Sequence, residues 1–185
     1  MTDPVQIRPL APGDLDAARD IYNQAVETSL ASWDLVPLSP AQWRDWLAQH
    51  SSGGQVVLVA TAGDELLGFA AYGPFRSKAG FSDTVEDSIY LRPTARGQGL
   101  GGRLLGQLTD QAASRGVHVM VAALAAENLA SIRLHDRLGF QVSGRLPQVG
   151  QKFGRWLDLV LMTRRLDDRP PAAPLGAGAA AGPMP

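Results

Sequence analysis

The sequence predicts an α/β (α+β) protein with a single domain, in which a mixed central β-sheet is flanked by helices. Three observations support this class. The chain has 185 residues, 45% apolar and 19% charged, which suits one globular, soluble domain with a substantial core. Residues 88–105 have the pattern of a strand, a glycine-rich loop and a helix in direct succession. The other segments extend this unit to the order β-α-α-β-β-β-α-β-α-β-β, which gives one mixed sheet covered by helices.

The first half of the chain is predicted to hold two helices between an opening strand and a hairpin. Asp14 is a plausible N-cap, and a helical apolar stripe follows it at Leu15, Ala18, Ile21, Tyr22, Ala25 and Val26. Ser39 and Gln42 form a capping-box pattern, with Pro40 at the first position of the second helix. We expect strands over 6–10, 55–62 and 65–72, with a tight turn at 63–64 between the last two. A loop is expected over 28–37, and the second helical unit should end at 52–54.

The second half continues the alternation of strands and helices. We expect a loop over 73–83, a strand over 84–91 and a helix that ends before Gly116. A strand over 117–123 and a helix from Asn128 to Leu138 should follow. The final strands are expected over 141–146 and 157–164, with a connection at 152–156. From residue 167 onward Pro, Ala and Gly dominate without apolar periodicity. The chain therefore divides into a domain over 1–166 and a disordered tail over 167–185.

Composition argues against several classes of function. The net charge is −1, so neither a nucleic-acid partner nor a membrane partner is expected. There is no cysteine, which excludes disulfides, thiol nucleophiles and cysteine metal sites. His50, His118 and His135 have no metal-ligand spacing, so we expect no metal. Because no signal-peptide pattern or membrane-length apolar run is present, the expected location is the cytoplasm.

The glycine-rich loop carries the strongest functional signal. Backbone N–H groups at the start of a helix bind phosphate oxygens, and glycine lets the ligand approach closely. Gly97, Gly99 and Gly102 match the dinucleotide fingerprint, and Glu127 follows as its acidic residue. We reject that match because a polar turn with a proline separates the strand from the loop, and too little chain remains for further βα units. An ordinary glycine turn is the simplest alternative.

A better match is Arg-x-x-Gly-x-Gly, formed by Arg96, Gly99 and Gly101. This motif resembles the pyrophosphate-binding motif of the GCN5-related N-acetyltransferase (GNAT) superfamily. Further stretches resemble its phosphinothricin and methionine sulfoximine N-acetyltransferase subfamily: SWDLVP, TVEDSIYL, RGQGLG, ENLASIRLHDRLGF and LPQVGQKFGRWLDLVLM. The resemblance spans about 7–166. It implies two central parallel strands that splay apart, acetyl-CoA as co-substrate, a small amino-acid analogue as acceptor, and a homodimer with 152–156 near the partner's pocket.

The resemblance also implies residues for the cofactor. The strand before the loop would offer backbone groups to pantetheine at Ile89, Tyr90 and Leu91. The pyrophosphate would be held by Arg96, Gly97, Gln98, Gly99, Leu100 and Gly101, with Arg103 adding charge at the rim. Asn128 and Ser131 match an Asn-x-x-Ser/Ala pattern that contacts pantetheine, although Asn128 also suits a plain helix N-cap.

Acetylation of a protonated amine requires a proton acceptor. The resemblance places Glu86 in that role, with Asp83 and Asp87 as rivals and a solvated strand-end carboxylate as the simpler interpretation. Asp87 should face the opposite side of a regular strand. His135 occupies the position of a tyrosine that protonates the departing thiolate in many members. It is equally compatible with a packed or exposed helix residue.

The acceptor pocket is expected to form from three segments, 27–33, 75–78 and 152–156. The candidate contacts are Trp33, Phe75, Arg76, Lys78, Glu86, Lys152 and Arg155. Gln151 stands where the subfamily often has threonine, which leaves the acceptor preference open. Two rival functions remain: an acetyltransferase for another amine, such as a protein N-terminus or an antibiotic, and a non-catalytic acyl-CoA-binding module.

Overall fold

The computed structural model describes residues 4–51 and 56–171. The strands are β1 (Val5–Pro9), β2 (Leu58–Ala62), β3 (Glu65–Pro74), β4 (Thr84–Leu91), β5 (Val119–Ala125), β6 (Gln141–Lys152) and β7 (Arg155–Arg165). The helices are α1 (Leu15–Thr28), α2 (Pro40–Ser51), α3 (Leu100–Ser114) and α4 (Leu129–Arg137). The predicted element order is confirmed. The predicted helix end at 52–54 and the first residue of the strand predicted over 55–62 lie outside the described residues.

The strands form one seven-stranded mixed sheet in the order β1-β2-β3-β4-β5-β7-β6. Neighbouring strands are antiparallel except for β4 and β5. That parallel pair is held only where Thr84–Glu86 face Val119–Val121. Beyond Glu86, β4 continues beside β3 alone, and beyond Val121, β5 continues beside β7 alone. The expected splay of the two central strands is therefore confirmed.

Two apolar cores cover the two faces of the sheet. Consecutive residues of β2 and β3 belong alternately to one core or the other, as the two-residue period of a strand requires. Leu104, Leu105 and Leu108 of α3 are fully buried in one core. The other core contains the stripe of α1 together with Trp43 of α2 and Phe69 of β3. The sheet therefore separates α3 and α4 from α1 and α2.

The two predicted helix starts have different outcomes. The capping box of α2 is confirmed, because the Ser39 N–H donates to Gln42 Oε1 at 3.0 Å and the Gln42 N–H to Ser39 Oγ at 3.4 Å. Asp14 precedes α1 but does not cap it with its side chain. Its carboxylate instead accepts bonds from Arg8 at 2.6 and 2.9 Å and from the Ala11 N–H at 2.7 Å, so it joins the helix start to β1.

The predicted connection at 152–156 is wrong, because Lys152 still belongs to β6 and Arg155 already to β7. The actual turn is Phe153–Gly154, with φ of 50° and 71°. The strand predicted over 141–146 is therefore too short, and β6 continues past Pro147, which has no N–H to donate to a ladder. The register of β6 shifts between Leu146 and Gly150, and such an irregularity on an edge strand accommodates the proline.

The residues just after the last strand contact the domain. His118 Nδ1 lies 2.6 Å from Asp167 Oδ1, and the Arg169 guanidinium lies 2.7 Å from the Asp83 carboxylate. The domain boundary at 166 and the tail stay predictions, and 172–185 lie outside the described residues. Among helices in the described ranges, none has the length and apolar character needed to cross a bilayer.

Candidate active site

Two cavities meet where β4 and β5 separate. The glycine-loop cleft, about 620 Å³, lies along the carboxyl half of β4, the loop 96–102 and α4. The inner pocket, about 240 Å³, lies between residues 30–34, the middle of β4 and β5, and the ends of α2 and α4. The residues that line both cavities are Leu30, Ala31, Ile89, Tyr90, Asn128 and Ser131. The cavities are therefore adjacent parts of one site.

The glycine-loop cleft brings together nearly all of the predicted cofactor residues. Its lining includes Ile89, Tyr90, Leu91, Arg96, Gly97, Gly99, Leu100, Gly101, Asn128 and Ser131. Gln98 is not among the lining residues, and its side-chain amide donates to the Thr94 carbonyl at 2.8 Å. Asn128 accepts a bond from the Ser131 N–H at 3.3 Å, so it also caps α4.

Backbone conformation explains two of the glycines. Gly97 and Gly99 both have φ of 75°, which strongly favours glycine, and Gly99 is the N-cap of α3. The first N–H groups of α3 have no partner within the helix, so they are available to an anion. A Cβ at Gly101 would lie 3.2 Å from Leu134, so this glycine allows α3 and α4 to pack closely.

The basic residues around the cleft differ from those expected. Arg103 donates to the Val5 carbonyl at 3.0 Å and is not among the lining residues. Arg96 lies at the rim and donates to the Leu91 carbonyl at 3.2 and 3.3 Å. Arg133 and Arg137, one turn apart on α4, also line the cleft. Sequence reasoning missed this pair, although the spacing of four on one helix was a usable signal.

Gly99→Val is expected to weaken the binding of CoA by at least about tenfold, because valine is strained at positive φ and would distort the loop. Isothermal titration calorimetry with CoA measures the effect. Gly106→Ala is the matched control, since Gly106 lies inside α3 and an added Cβ there meets no atom within 4 Å. Unchanged CoA affinity in Gly99→Val would contradict the assignment of this loop.

Glu86 lies where β4 and β5 separate. It is the last residue of β4 that pairs with β5, facing Val121, and it lines the inner pocket. Burial raises the pKa of its carboxyl, and the nearby charge of Asp87 raises it further, while Arg76 opposes both. Such a carboxylate is a stronger base than an exposed one, as proton abstraction requires.

Asp87 faces the opposite side of β4, as the strand alternation predicted, and pairs with His135 of α4. His135 is fully buried, with Nε2 at 3.0 Å from Asp87 Oδ2 and Nδ1 at 2.8 Å from the Ser131 carbonyl oxygen. Since a carbonyl and a carboxylate are both acceptors, the protonated ring can donate to both of them. Although burial opposes the charged ring, Asp87 and the Ser131 carbonyl raise the pKa of His135 above its ordinary value.

This arrangement argues against His135 as the proton donor to a thiolate. Both of its N–H groups already bond to protein acceptors, and no part of the ring is exposed. The alternative of a packed helix residue fits better. The second carboxylate oxygen of the pair, Asp87 Oδ1, is buried without a hydrogen-bond partner among the residues that the structure describes.

The wall of the inner pocket is fixed by contacts from distant elements. Tyr22 donates to Asp34 Oδ2 at 2.5 Å, and Trp33 Nε1 donates to the Ala123 carbonyl at 3.3 Å. Gly150 of β6 makes room for the Trp33 ring, since a Cβ there would lie 2.3 Å from it. Lys152 is buried and donates to the Ser32 carbonyl at 2.6 Å. The end of β6 therefore holds the segment 29–36 in place.

Of the predicted acceptor contacts, only Trp33 and Glu86 line the inner pocket. Five other predicted residues lie outside it: Phe75, Arg76, Lys78, Lys152 and Arg155. Their direct contact with an acceptor stays a prediction that this arrangement does not support. The structure adds lining residues that sequence reasoning missed, among them Tyr22, Asp34, Trp46 and His50.

Each of the five predicted residues that lie outside the inner pocket has a different environment. Phe75 packs against Phe81, with ring centroids 5.8 Å apart, and the Arg76 guanidinium lies 4.6 Å from the Phe75 ring. Lys78 is exposed at the start of a 3₁₀ turn. Arg155 Nη2 lies 2.9 Å from Glu127 Oε2, and Lys152 holds Ser32 as described. Arg76 still acts electrostatically, since its charge lowers the pKa of Glu86.

No three His, Asp or Glu side chains within 4–51 and 56–171 come together in a way that could hold a metal ion. Glu86 and His50 are two of the ionisable groups that line the inner pocket.

Comparison with known proteins agrees with this geometry. The acetyltransferase (GNAT) family profile matches residues 17–140. An L-methionine sulfoximine/L-methionine sulfone acetyltransferase of Pseudomonas aeruginosa is 48% identical over 162 residues, covering 87% of this chain and 94% of the relative. A Salmonella typhimurium protein solved with its cofactor acetyl-CoA superimposes with a TM-score of 0.86 at 43% identity, covering 92% of this chain and 97% of that one. A Sinorhizobium meliloti phosphinothricin acetyltransferase in complex with acetyl-CoA gives 0.84 at 32% identity, covering 97% and 93%. The chain belongs to the acetyltransferase (GNAT) family.

Proposed function

We propose that the protein transfers the acetyl group of acetyl-CoA to the α-amino group of a small amino-acid analogue: methionine sulfoximine, methionine sulfone or phosphinothricin. One observation carries the proposal. The glycine-loop cleft and the inner pocket meet in the gap between β4 and β5, and Glu86 lines the inner pocket where the two strands part. A thioester can enter from one side and an amine from the other. The acceptor class comes from the names of the similar proteins.

The glycine-loop cleft fits CoA in two ways. The N–H groups at the start of α3, with Arg96 at the rim, suit the diphosphate. Beyond Glu86, the edge of β4 that faces β5 has no strand partner among the described residues, so its backbone groups, apart from the Leu91 carbonyl that Arg96 contacts, are free to pair with the amides of pantetheine. The thioester end would then lie near Glu86, where the strands part.

Glu86 supplies the base. An acceptor amine is protonated at neutral pH and must lose a proton before its lone pair can attack the thioester carbon. Glu86 takes that proton, directly or through water. An N–H from the free edge of β4 near Leu91 can stabilise the tetrahedral oxyanion. The thiolate, with an ordinary pKa of about 8.5, leaves without needing a proton from His135.

The acceptor preference is tested by CoA release with a panel of amines. We expect kcat/KM for methionine sulfoximine, methionine sulfone or phosphinothricin to exceed that for methionine by at least about tenfold, because a site that pairs with a polar group discriminates against an analogue lacking it. A value for methionine sulfoximine no higher than for methionine or a peptide N-terminus would contradict the acceptor. No release with any amine would favour the acyl-CoA-binding module.

We also propose that two copies of this chain associate through the β6–β7 hairpin. Five side chains there are apolar and exposed by 44–63%: Val142, Leu146, Val149, Phe153 and Trp156. They lie on or beside β6, the edge strand of the sheet. An edge strand with an apolar surface is a template for pairing with a second identical edge. A second copy is the occupant that offers the same surface in return.

If the protein is a dimer, size-exclusion chromatography with light scattering at assay concentration should give twice the mass of one chain. Trp156→Glu should shift the protein toward monomer, because it places a charge in the contact. Phe81→Glu is the control, since Phe81 is also exposed but lies after β3. A fully active wild-type monomer would contradict the dimer.

The cytoplasmic location stays a prediction, which cell fractionation would check.

A further inference from the structure

His50 occupies a defined position at the end of α2, inside the inner pocket. Its ring stacks on Trp46, with centroids 3.7 Å apart and planes at 16°. Its Nδ1 lies 2.7 Å from the Trp46 carbonyl oxygen. A carbonyl only accepts, so Nδ1 carries a hydrogen and Nε2 of the neutral ring is an acceptor. The two contacts fix the tautomer and the orientation of the ring.

Because Gly73 has no side chain, the His50 ring has room on the face of the sheet that carries Glu86. Gly73 of β3 is the cross-strand partner of Glu86, so a side chain at either position projects from the same face of the sheet. A Cβ on Gly73 would lie 3.1 Å from both Nε2 and Cδ2 of His50. The imidazole therefore fills the space that a Gly73 side chain would occupy, with its Nε2 edge against the strand pair that carries Glu86.

The reaction leaves a proton that must exit the pocket. A protonated amine has three N–H bonds, and the amide product keeps one of them. As the new C–N bond forms and the thioester C–S bond breaks, two protons leave the nitrogen. One ends on the CoA sulfur and the other goes to solvent. Glu86 has to release the proton that it takes before the next turnover, and the burial that makes it a good base slows direct release.

We propose that His50 Nε2 accepts the proton from Glu86, directly or through one water, and passes it to solvent. The inference rests on the proposed function. His50 is half-buried, so the ring reaches both the pocket and the exterior. Burial, which outweighs the opposing bond to Trp46, lowers the pKa of His50, and this keeps Nε2 unprotonated at neutral pH. The titratable groups that share the pocket with it are Tyr22, Asp34, Glu86, Asp87, Tyr90 and His135.

His50→Phe tests the proposal because it keeps a ring on Trp46 and removes the acceptor. In dilute buffer without imidazole, kcat should fall by at least about tenfold, toward the low end of acid–base effects. Adding imidazole should restore kcat in His50→Phe and leave the wild type unchanged, which no structural role predicts. His118→Phe is the matched control, since His118 pairs with Asp167 and does not line the pocket. It should keep wild-type kcat and show no imidazole effect.

Two further variants keep the test decisive. Gly73→Ala pushes the ring away from β3 and should give a smaller loss that imidazole also restores. In Glu86→Gln, adding His50→Phe should cause no further loss, because the relay begins at Glu86. A His50→Phe enzyme with wild-type kcat, or a loss in both His50→Phe and Gly73→Ala that imidazole does not restore, would overturn the relay alone. A wild type that acetylates no acceptor would overturn the proposed function and the relay with it.

Discussion

Glu86→Gln is expected to lower kcat/KM for the acceptor by about 10²–10⁴-fold at neutral pH, the range of general base catalysis. Glutamine keeps the shape of the side chain and its hydrogen-bonding capacity but cannot take a proton. The affinity for CoA should not change, because the glycine-loop cleft is untouched. Steady-state kinetics and calorimetry measure the two effects separately.

The pH dependence distinguishes base catalysis from a simple binding effect. Glu86 acts when deprotonated, so the wild-type rate should fall as pH decreases through its pKa. Burial and Asp87 raise that pKa, which places the acid limb above the range of an ordinary carboxyl group. The deficit of Glu86→Gln should shrink as pH approaches the pKa of the amine, since the free amine then needs no base.

The control for this prediction is Asp83→Asn. Asp83 is an exposed carboxylate just before β4 that pairs with Arg169, and it is one of the two rival bases that the sequence offers. It should retain the wild-type rate and pH profile. Wild-type activity in Glu86→Gln at neutral pH would transfer the role to water or to another carboxylate.

Asp87→Asn is expected to destabilise the folded protein by about 3 kcal/mol or more at about pH 6, because breaking a buried ion pair leaves a charge without its partner. Asp87 and His135 are 2% and 0% exposed, and they join β4 to α4. The free energy of unfolding in urea measures the effect. Glu127→Gln is the control, since its pair with Arg155 is half exposed and such pairs contribute at most about 1 kcal/mol.

The stabilisation from this pair has a definite sign with pH. The pKa of His135 is raised in the folded protein, so folding favours the protonated ring. The contribution is fully present below the unfolded histidine pKa of about 6.5 and is lost as pH rises through the higher folded value. The difference between the wild type and Asp87→Asn should therefore be larger at about pH 6 than at about pH 9. Equal stability of the two proteins at about pH 6 would contradict the ion pair.

Local sequence rules predicted most of the fold and of the cofactor cleft. The capping box of α2, the alternation in β4 and the glycines at positive φ are all encoded within a few residues. The site residues 89–101 are contiguous, so one motif located nearly all of them. Gln98 differs because its side chain turns back to its own loop.

The acceptor side was harder to predict because its residues meet only through long-range packing. Lys152 looked like a free cation for an anionic substrate, yet it is buried against Ser32, which lies 120 positions earlier. The three histidines are distant in sequence, which gives no sign that the His50 ring lies over Gly73, the cross-strand partner of Glu86. No local sequence pattern indicates that a glycine on one strand leaves space for a side chain from a distant helix. The extension of β6 past Pro147 similarly depends on its position at the sheet edge.

The central claim is that one continuous site holds CoA along β4 and an amine beside Glu86. A crystal structure of the protein with CoA and methionine sulfoximine tests it most directly. We expect the diphosphate on the N–H groups around Gly99, the pantetheine arm paired with the free edge of β4, and the CoA sulfur between β4 and β5. The acceptor amine should lie within hydrogen-bonding reach of Glu86, directly or through one water. A CoA sulfur that emerges away from the gap, or an amine bound far from Glu86, would contradict the account.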